Sequence, residues 1–285
     1  MRARQHGLAV AEVLIAMALS LLVALAAASL LHASNGDFLH NGANTRIDDS
    51  GRFALSIIGQ SLRQAGYPGE PGAAAVVPPP LAVEGRDGAG VAANADGLGH
   101  AQPSVNGSDA VAIRYAPSAI AGAEGGGAML NCAGFPADPG EWAWSIFYVA
   151  RASDGIAELR CKYKGENGWG SDAVVRGVDA FHVLYGIDTD NPRDNIPNLY
   201  LAASGIEALD ATLPMSERAM RPHWRRVISV RFALLLHGER GSRSDGALSS
   251  YDLLPGVSLD EANLPGPMQH RARRLFTATV ALRNR

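Results

Sequence analysis

Cysteine is almost missing from this chain: Cys132 and Cys161 are the only two among 285 residues. They form no C-x-x-C pair and no histidines stand at ligand spacing, which disfavours a structural metal site. An excess of positive charge is missing as well. The 25 Lys and Arg are outnumbered by 28 Asp and Glu, a net charge of −3 and the wrong balance for a dedicated nucleic-acid binder. Absent too are G-x-S-x-G, H-E-x-x-H, the phosphate-binding P-loop and the dinucleotide-binding glycine fingerprint, so no motif points to an enzyme. The eight histidines are scattered, with His6 near the N-terminus and His182 and His237 in or beside predicted strands, where solvated or packed roles are the rule. The most telling lack is local. Leu8 to Leu31 holds one charged residue, Glu12, and Met1 to Gly7 holds no acid.

A hydrocarbon core about 30 Å thick is crossed by roughly 20 apolar helical residues. The 24-residue run is therefore long enough to span, and it is longer than an ordinary secretory signal core. It should stay on the protein. A carboxylate at the bilayer centre costs roughly 2.5–3.5 kcal/mol, and less near the interface, so Glu12 calls for a positive partner. The run itself holds no Lys, Arg or His, which leaves a positive group on another chain. The alternative is a plain single-pass anchor whose Glu12, only about 6 Å along the helix from Leu8, reaches the cytoplasmic headgroups. By the positive-inside bias, Arg2 and Arg4 hold the N-terminus in the cytoplasm and put everything after Leu31 on the other side.

Gly7 directly before an apolar helix, with Glu12 at the fifth position counted from Leu8, resembles the class III signal of type IV pilins and pseudopilins. Leu8 and Ala9 depart mildly from the commoner Phe and Ser or Thr. The resemblance implies a leader of residues 1–7, removed by prepilin peptidase between Gly7 and Leu8, and methylation of the new N-terminus at Leu8. Residues 8–31 would then be a transmembrane and polymerisation helix. The resemblance further implies that Glu12 pairs with the Leu8 amine of a neighbouring subunit, an ion pair that sets axial register more than it adds stability. Loss of Arg2 and Arg4 with the leader takes the net charge from −3 to −5.

Beyond the run, Ile47, Ala54, Ile58, Leu62 and Ala65 recur at three, four or seven residues, widened by Phe53 and Ile57. Arg46, Asp48, Asp49, Arg52, Gln60 and Arg63 take the opposite face. Gly66-Tyr67-Pro68-Gly69 ends the pattern. One helix from Leu8 to about Ala65 is predicted, roughly 87 Å long, with Asn35-Gly36 and Asn41-Gly42 as weak points where a kink fits. The period then changes to two. Ile228, Val230, Phe232, Leu234 and Leu236 alternate with a more mixed face, and Phe276, Ala278, Val280 and Leu282 repeat the pattern. Shorter candidate strands are Ala110–Tyr115, Trp144–Val149, Leu159–Tyr163 and Val178–Ile187. Strands following one long helix predict an α+β fold, an antiparallel sheet head packed on the helix. Residues 32–66 would be the outer half of the helix and 67–285 the β-rich head. Pro71–Pro80, Gly85–Gly99 and Gly122–Gly127 read as turns and surface loops.

The stretch from Asp49 to Tyr67 is similar to the second half of the first helix in minor pilins of the PilW family, and Arg176–Asp190, Arg226–Leu236 and Arg274–Asn284 agree with it. Pro71–Gly107 and Asn191–His223 align with nothing and read as loops or insertions. The resemblance implies a noncatalytic pilus subunit without cofactor, stored in the inner membrane with a periplasmic head and then taken into the filament. Its implied partners are prepilin peptidase, other minor pilins, the major pilin, a large tip adhesin and inner-membrane lipid, in a complex that starts the fibre. A minor pseudopilin of type II secretion shares the signal and the long helix. From another class, a membrane-anchored periplasmic binding module is the alternative.

In a periplasm-facing head, an even cysteine count favours a Cys132–Cys161 disulfide closing a loop of about 30 residues, worth roughly 3–4 kcal/mol by chain entropy. Two buried thiols are the alternative. Asp188-Thr-Asp-Asn191 resembles the start of a calcium loop without its glycine and closing Glu, and a solvated turn is the plainer reading. Arg221, Arg225, Arg226, Arg271, Arg273 and Arg274 flank two strand starts that would make one basic patch if brought together, or solvated strand ends if not. Trp142 and Trp144 read as loop or core packing.

Overall fold

The computed structural model describes residues 10–69, 79–117, 129–136, 141–243 and 246–284. It begins with one helix, α1 (Val10–Gln64), of 55 residues, about 82 Å long at the usual rise. Helical backbone continues through Asn35-Gly36 and Asn41-Gly42, the two pairs that the sequence marks as weak points. The two halves of α1 are surrounded differently. Every residue from Val10 to Leu31 is exposed, whereas Ile47, Ala54, Ile58, Leu62 and Ala65 are buried. The helix stops where Gly66 takes a left-handed φ of +73° and gives its N–H to the Arg114 carbonyl at 2.8 Å. A Cβ at that position would collide with the Asn284 carbonyl oxygen.

The strands are β1 (Val83–Arg86), β2 (Ala89–Val91), β3 (Ala101–Pro103), β4 (Ala110–Tyr115), β5 (Ala143–Arg151), β6 (Ala157–Gly165) and β7 (Gly168–Arg176). They continue with β8 (Val178–Ile187), β9 (Leu199–Leu201), β10 (Val227–His237), β11 (Ser250–Leu254), β12 (Val257–Asp260) and β13 (Arg273–Ala281). Two short helices, α2 (Ala203–Ala211) and α3 (Met215–Arg218), lie between β9 and β10. One sheet has the order β1-β4-β5-β6-β7 and the other β13-β10-β8-β9, with β2–β3 and β11–β12 as separate pairs. The pairings are antiparallel, and in the second sheet Phe232 stands between Val183 of β8 and Ala278 of β13. This is the α+β fold the sequence predicts, with two main sheets rather than one.

Both sheets turn a face to the second half of α1. Ile58 and Leu62 share a core with Ile113, Phe147 and Leu159 of the first sheet and with Phe181, Phe232 and Leu234 of the second. Strand β13 runs lengthwise along the helix: Arg274 pairs with Asp48, Phe276 fills the space at Gly51, and the Asn284 amide reaches the carbonyls of Arg63 and Ala65 at 3.4 and 3.3 Å.

The outer faces of the central strands are covered too, and two stretches read as loops in the sequence prove to carry regular structure. The mixed face of β10 is buried except at half-buried Arg231, because Leu253, Leu254, Leu259 and Leu264 of the β11–β12 region lie over Ala233 and Leu235. The Gly85–Gly99 stretch, read as loop, contains half of β1 and all of β2. There Val91 and Leu98 cover Ala110, Ala112, Ile146 and Tyr148 of the first sheet. The Asn191–His223 stretch carries β9, α2 and α3. Strands of three or four residues are too short for alternation to show. Gly122–Gly127 and residues 71–78 of the Pro71–Pro80 loop lie outside the described residues.

Candidate functional site

Val10–Leu31 is a rod of 22 residues with none of its surface covered by the head, and Glu12 sits on the exposed surface near its start. Gly7 and Leu8 lie outside the described residues, as do Arg2, Arg4 and His6. A helix that is apolar all round suits a bilayer or a bundle of like helices, since each fully buried Leu, Ile or Val gains roughly 1.5–3 kcal/mol. The rod also hides its own hydroxyls. Ser20 donates to the Ala16 carbonyl at 2.7 Å and Ser29 to the Ala26 carbonyl at 2.8 Å, so neither asks for water. Glu12 is thus the ionisable group of an otherwise apolar surface.

The six arginines of the expected patch are dispersed, which corrects that reading. Antiparallel pairing sets His237 against Arg273 and Ser229 against Ala281, so the start of β10 meets the end of β13. Arg226 and Arg273 are therefore separated by the length of a strand, roughly 35 Å. Arg221 binds Glu84 at 2.7 Å, Arg225 donates to the Pro79 carbonyl at 2.8 Å, and Arg274 pairs with Asp48. The Arg273 side chain is fully buried and bridges Asp179 at 2.7 Å and Glu261 at 2.6 Å, while Arg243 holds Glu261 at 3.0 Å. Burial pushes the Glu261 carboxyl up, but the N–H groups of Ser249 and His270 and the two arginines outweigh it and hold it below the ordinary carboxylate range. These contacts lock the start of β13 to β8 and to the segment after β12.

Cys132 and Cys161 are joined in a disulfide, with Cα atoms 5.9 Å apart, tying the loop before β5 to β6. Beside it Lys162 is buried, although its place in an alternating strand gives no sign of that. Its ammonium donates to the carbonyls of Ala92 at 2.8 Å, Ala95 at 2.5 Å and Gly97 at 2.6 Å, and lies 4.7 Å from the Trp169 ring centre. Burial pushes its pKa down to about 8, with Asp96 opposing. Trp144 packs as expected of it, with the Arg114 guanidinium 4.4 Å above its ring and Trp169 edge-on at 5.5 Å. Oxygens of Asp188, Asp190 and Asp194 come within 4.8 Å of one another. Asp188 accepts the backbone N–H groups of Asp190 and Asn195 at 3.0 and 2.8 Å, the hydrogen bonding of a closed turn.

Residues 146–284 match the family model described as type IV pilus-assembly protein W. No curated protein matches the chain. Among solved structures, the type IV-like pilin TTHA1219 from Thermus thermophilus overlaps 84% of this chain and 96% of its own length, at 15% identity and a TM-score of 0.41.

Proposed function

We propose that this chain, a member of the type IV pilus-assembly protein W family, is a noncatalytic minor pilin that helps to start the pilus and sits in its tip complex. In this reading prepilin peptidase cuts between Gly7 and Leu8, Leu8 is methylated, and residues 8–31 hold the subunit in the inner membrane with residues 67–285 in the periplasm. The rod then leaves lipid for a bundle of pilin helices, with other minor pilins, the major pilin and a large tip adhesin as partners. The observation that carries the reading is the exposed apolar rod, continuous with a half-helix seated in the head and bearing Glu12 at the fifth position counted from Leu8. Exchange of lipid for helix neighbours keeps apolar surface covered throughout, and a carboxylate met by a neighbour's amine sets the axial step.

The test is mass spectrometry of sheared pili from cells carrying the wild-type gene or Glu12→Ala. The wild type should appear there with a methylated Leu8. Glu12→Ala should be processed and membrane-bound, with an unchanged melting temperature of the head, yet missing from the pili. A Glu12→Ala subunit that enters pili as well as wild type would sink the assembly role, and co-purification with secretion rather than pilus components would favour the pseudopilin alternative.

A further inference from the structure

The head has a cleft of about 760 Å³ that subunit assembly through the rod leaves without a role. It opens between β1, residues 96–99 and Trp144 on one side and α2 with the segment after α3 on the other. We infer that this cleft receives a guanidinium or ammonium side chain presented by a partner polypeptide, with Asp210 and Glu207 as its acceptors. The inference goes beyond the pilin reading and stands whether or not the subunit enters a filament.

The positive groups around the cleft are committed to the chain's own acceptors. Arg86 donates to the carbonyls of Leu98 at 3.4 Å and Gly99 at 2.9 Å, and Arg218 to those of Ala211 at 2.6 Å and Leu213 at 3.4 Å. Arg221 and Arg114 hold one oxygen each of Glu84, at 2.7 and 3.0 Å. Asp96 accepts the Trp169 indole N–H at 2.6 Å. What remains is acceptor capacity. The Asp210 side chain is 6% exposed; its Oδ1 accepts the His223 backbone N–H at 3.1 Å and lies 2.7 Å from the His223 ring, while its Oδ2 is buried without a hydrogen-bond partner. Glu207, 60% exposed on the rim, is 3.7 Å from Arg221. Buried carboxylate oxygens in folded proteins are nearly always met by a donor, so the cleft is short of donors and a cationic group fits its chemistry.

The walls are held in place before any ligand arrives. Asp87, in the β1–β2 turn, accepts the N–H groups of Ala203 and Ser204 at 2.8 and 2.7 Å and so anchors the start of α2. Opposite, Lys162 grips the carbonyls of Ala92, Ala95 and Gly97, which fixes the loop carrying Asp96 to Gly99. A preformed cleft loses little freedom on binding, and the Trp144 ring offers apolar surface to the methylene stem of a long cationic side chain.

The full chain in detergent is titrated with acetyl-Gly-Arg-Gly-amide and with the same peptide carrying citrulline, the neutral isostere, or glutamate, following tryptophan fluorescence and calorimetry. The arginine peptide should bind at least about 10-fold tighter than the citrulline one and the glutamate peptide not at all. Asp210→Asn should lose about 10-fold and Glu207→Gln about 3-fold of the arginine affinity. Equal binding of arginine and citrulline peptides would overturn the inference. If Asp210→Asn melts early because His223 loses its partner, the exposed Glu207→Gln decides alone, and an unchanged affinity there also overturns it.

Discussion

The two halves of α1 share one backbone geometry and differ in what surrounds them. In the outer half, Ile58 and Leu62 are fully buried between two sheets, while Arg52, Gln60 and Arg63 on the far side stay exposed. In the inner half, Leu14, Leu22 and Leu30 are 61%, 62% and 72% exposed, although they are as apolar as anything in the core. A head can cover only one side of a helix, so an amphipathic stripe suffices where the head is the partner. A rod that is apolar on every side needs neighbours on every side. Along Val10–Leu31 the described chain supplies none, so lipid or other helices must.

The contrast breaks most readily at Leu62. Leu62→Ala empties a fully buried position between both sheets and should cost about 2–5 kcal/mol, read as a lower urea midpoint of the detergent-solubilised chain. Leu22→Ala should leave that midpoint nearly unmoved, a stability change of less than about 0.5 kcal/mol. Comparable losses at the two sites would mean that the inner half is packed against the head.

A titration separates the head from the rod next. Because folding lowers the Lys162 pKa from 10.5 to about 8, the unfolded chain keeps a proton between those values that the folded chain has released. The cost of burying the ammonium is therefore fully present below pH 8, and stability rises with pH across that window by at most about 3 kcal/mol. The three carbonyl acceptors favour the charged form and keep the rise under that ceiling. Urea midpoints from pH 7.5 to 10 should climb in the wild type and stay flatter in Lys162→Met, whereas membrane association of the rod should not follow this titration. A flat wild-type profile would contradict the buried ammonium.

The smallest expected effects come from two glycines of the same helix, and they have opposite signs. A Cβ at Gly51 would overlap the Phe276 ring, so Gly51→Ala should destabilise by about 1–3 kcal/mol. Nothing lies within 4 Å of a Cβ at Gly42, so Gly42→Ala should stabilise the helix by about 0.5–1 kcal/mol. Thermal melts of the two variants side by side give the sign directly.

Legibility followed element length. The long helix and the strands β4, β5, β6, β8, β10 and β13 could be read from spacing because each repeats its period several times. Strand β7 begins Gly-Trp-Gly-Ser-Asp and shows no alternation; pairing with β6 draws it into the sheet. The site was legible in a similar way. Glu12 stood out as one charge in an apolar run, while Asp210 and Glu207 looked like ordinary polar residues of a loop and Lys162 like one of a strand. Lys162 earns its burial from a loop about 65 to 70 positions earlier, and the carboxylates of Arg273 lie 94 and 12 residues away.

By itself, then, the sequence determined the long helix and the longer strands and that the first apolar run cannot rest in water, because both follow from neighbours in the chain and from the transfer cost of each side chain. Only the tertiary structure decided that there are two sheets, that the outer faces of their central strands are covered, that the arginines part company, and that a cleft with an unmet acceptor opens beside α2. These depend on which distant segments meet, and antiparallel pairing alone was enough to carry two strand starts to opposite ends of a sheet.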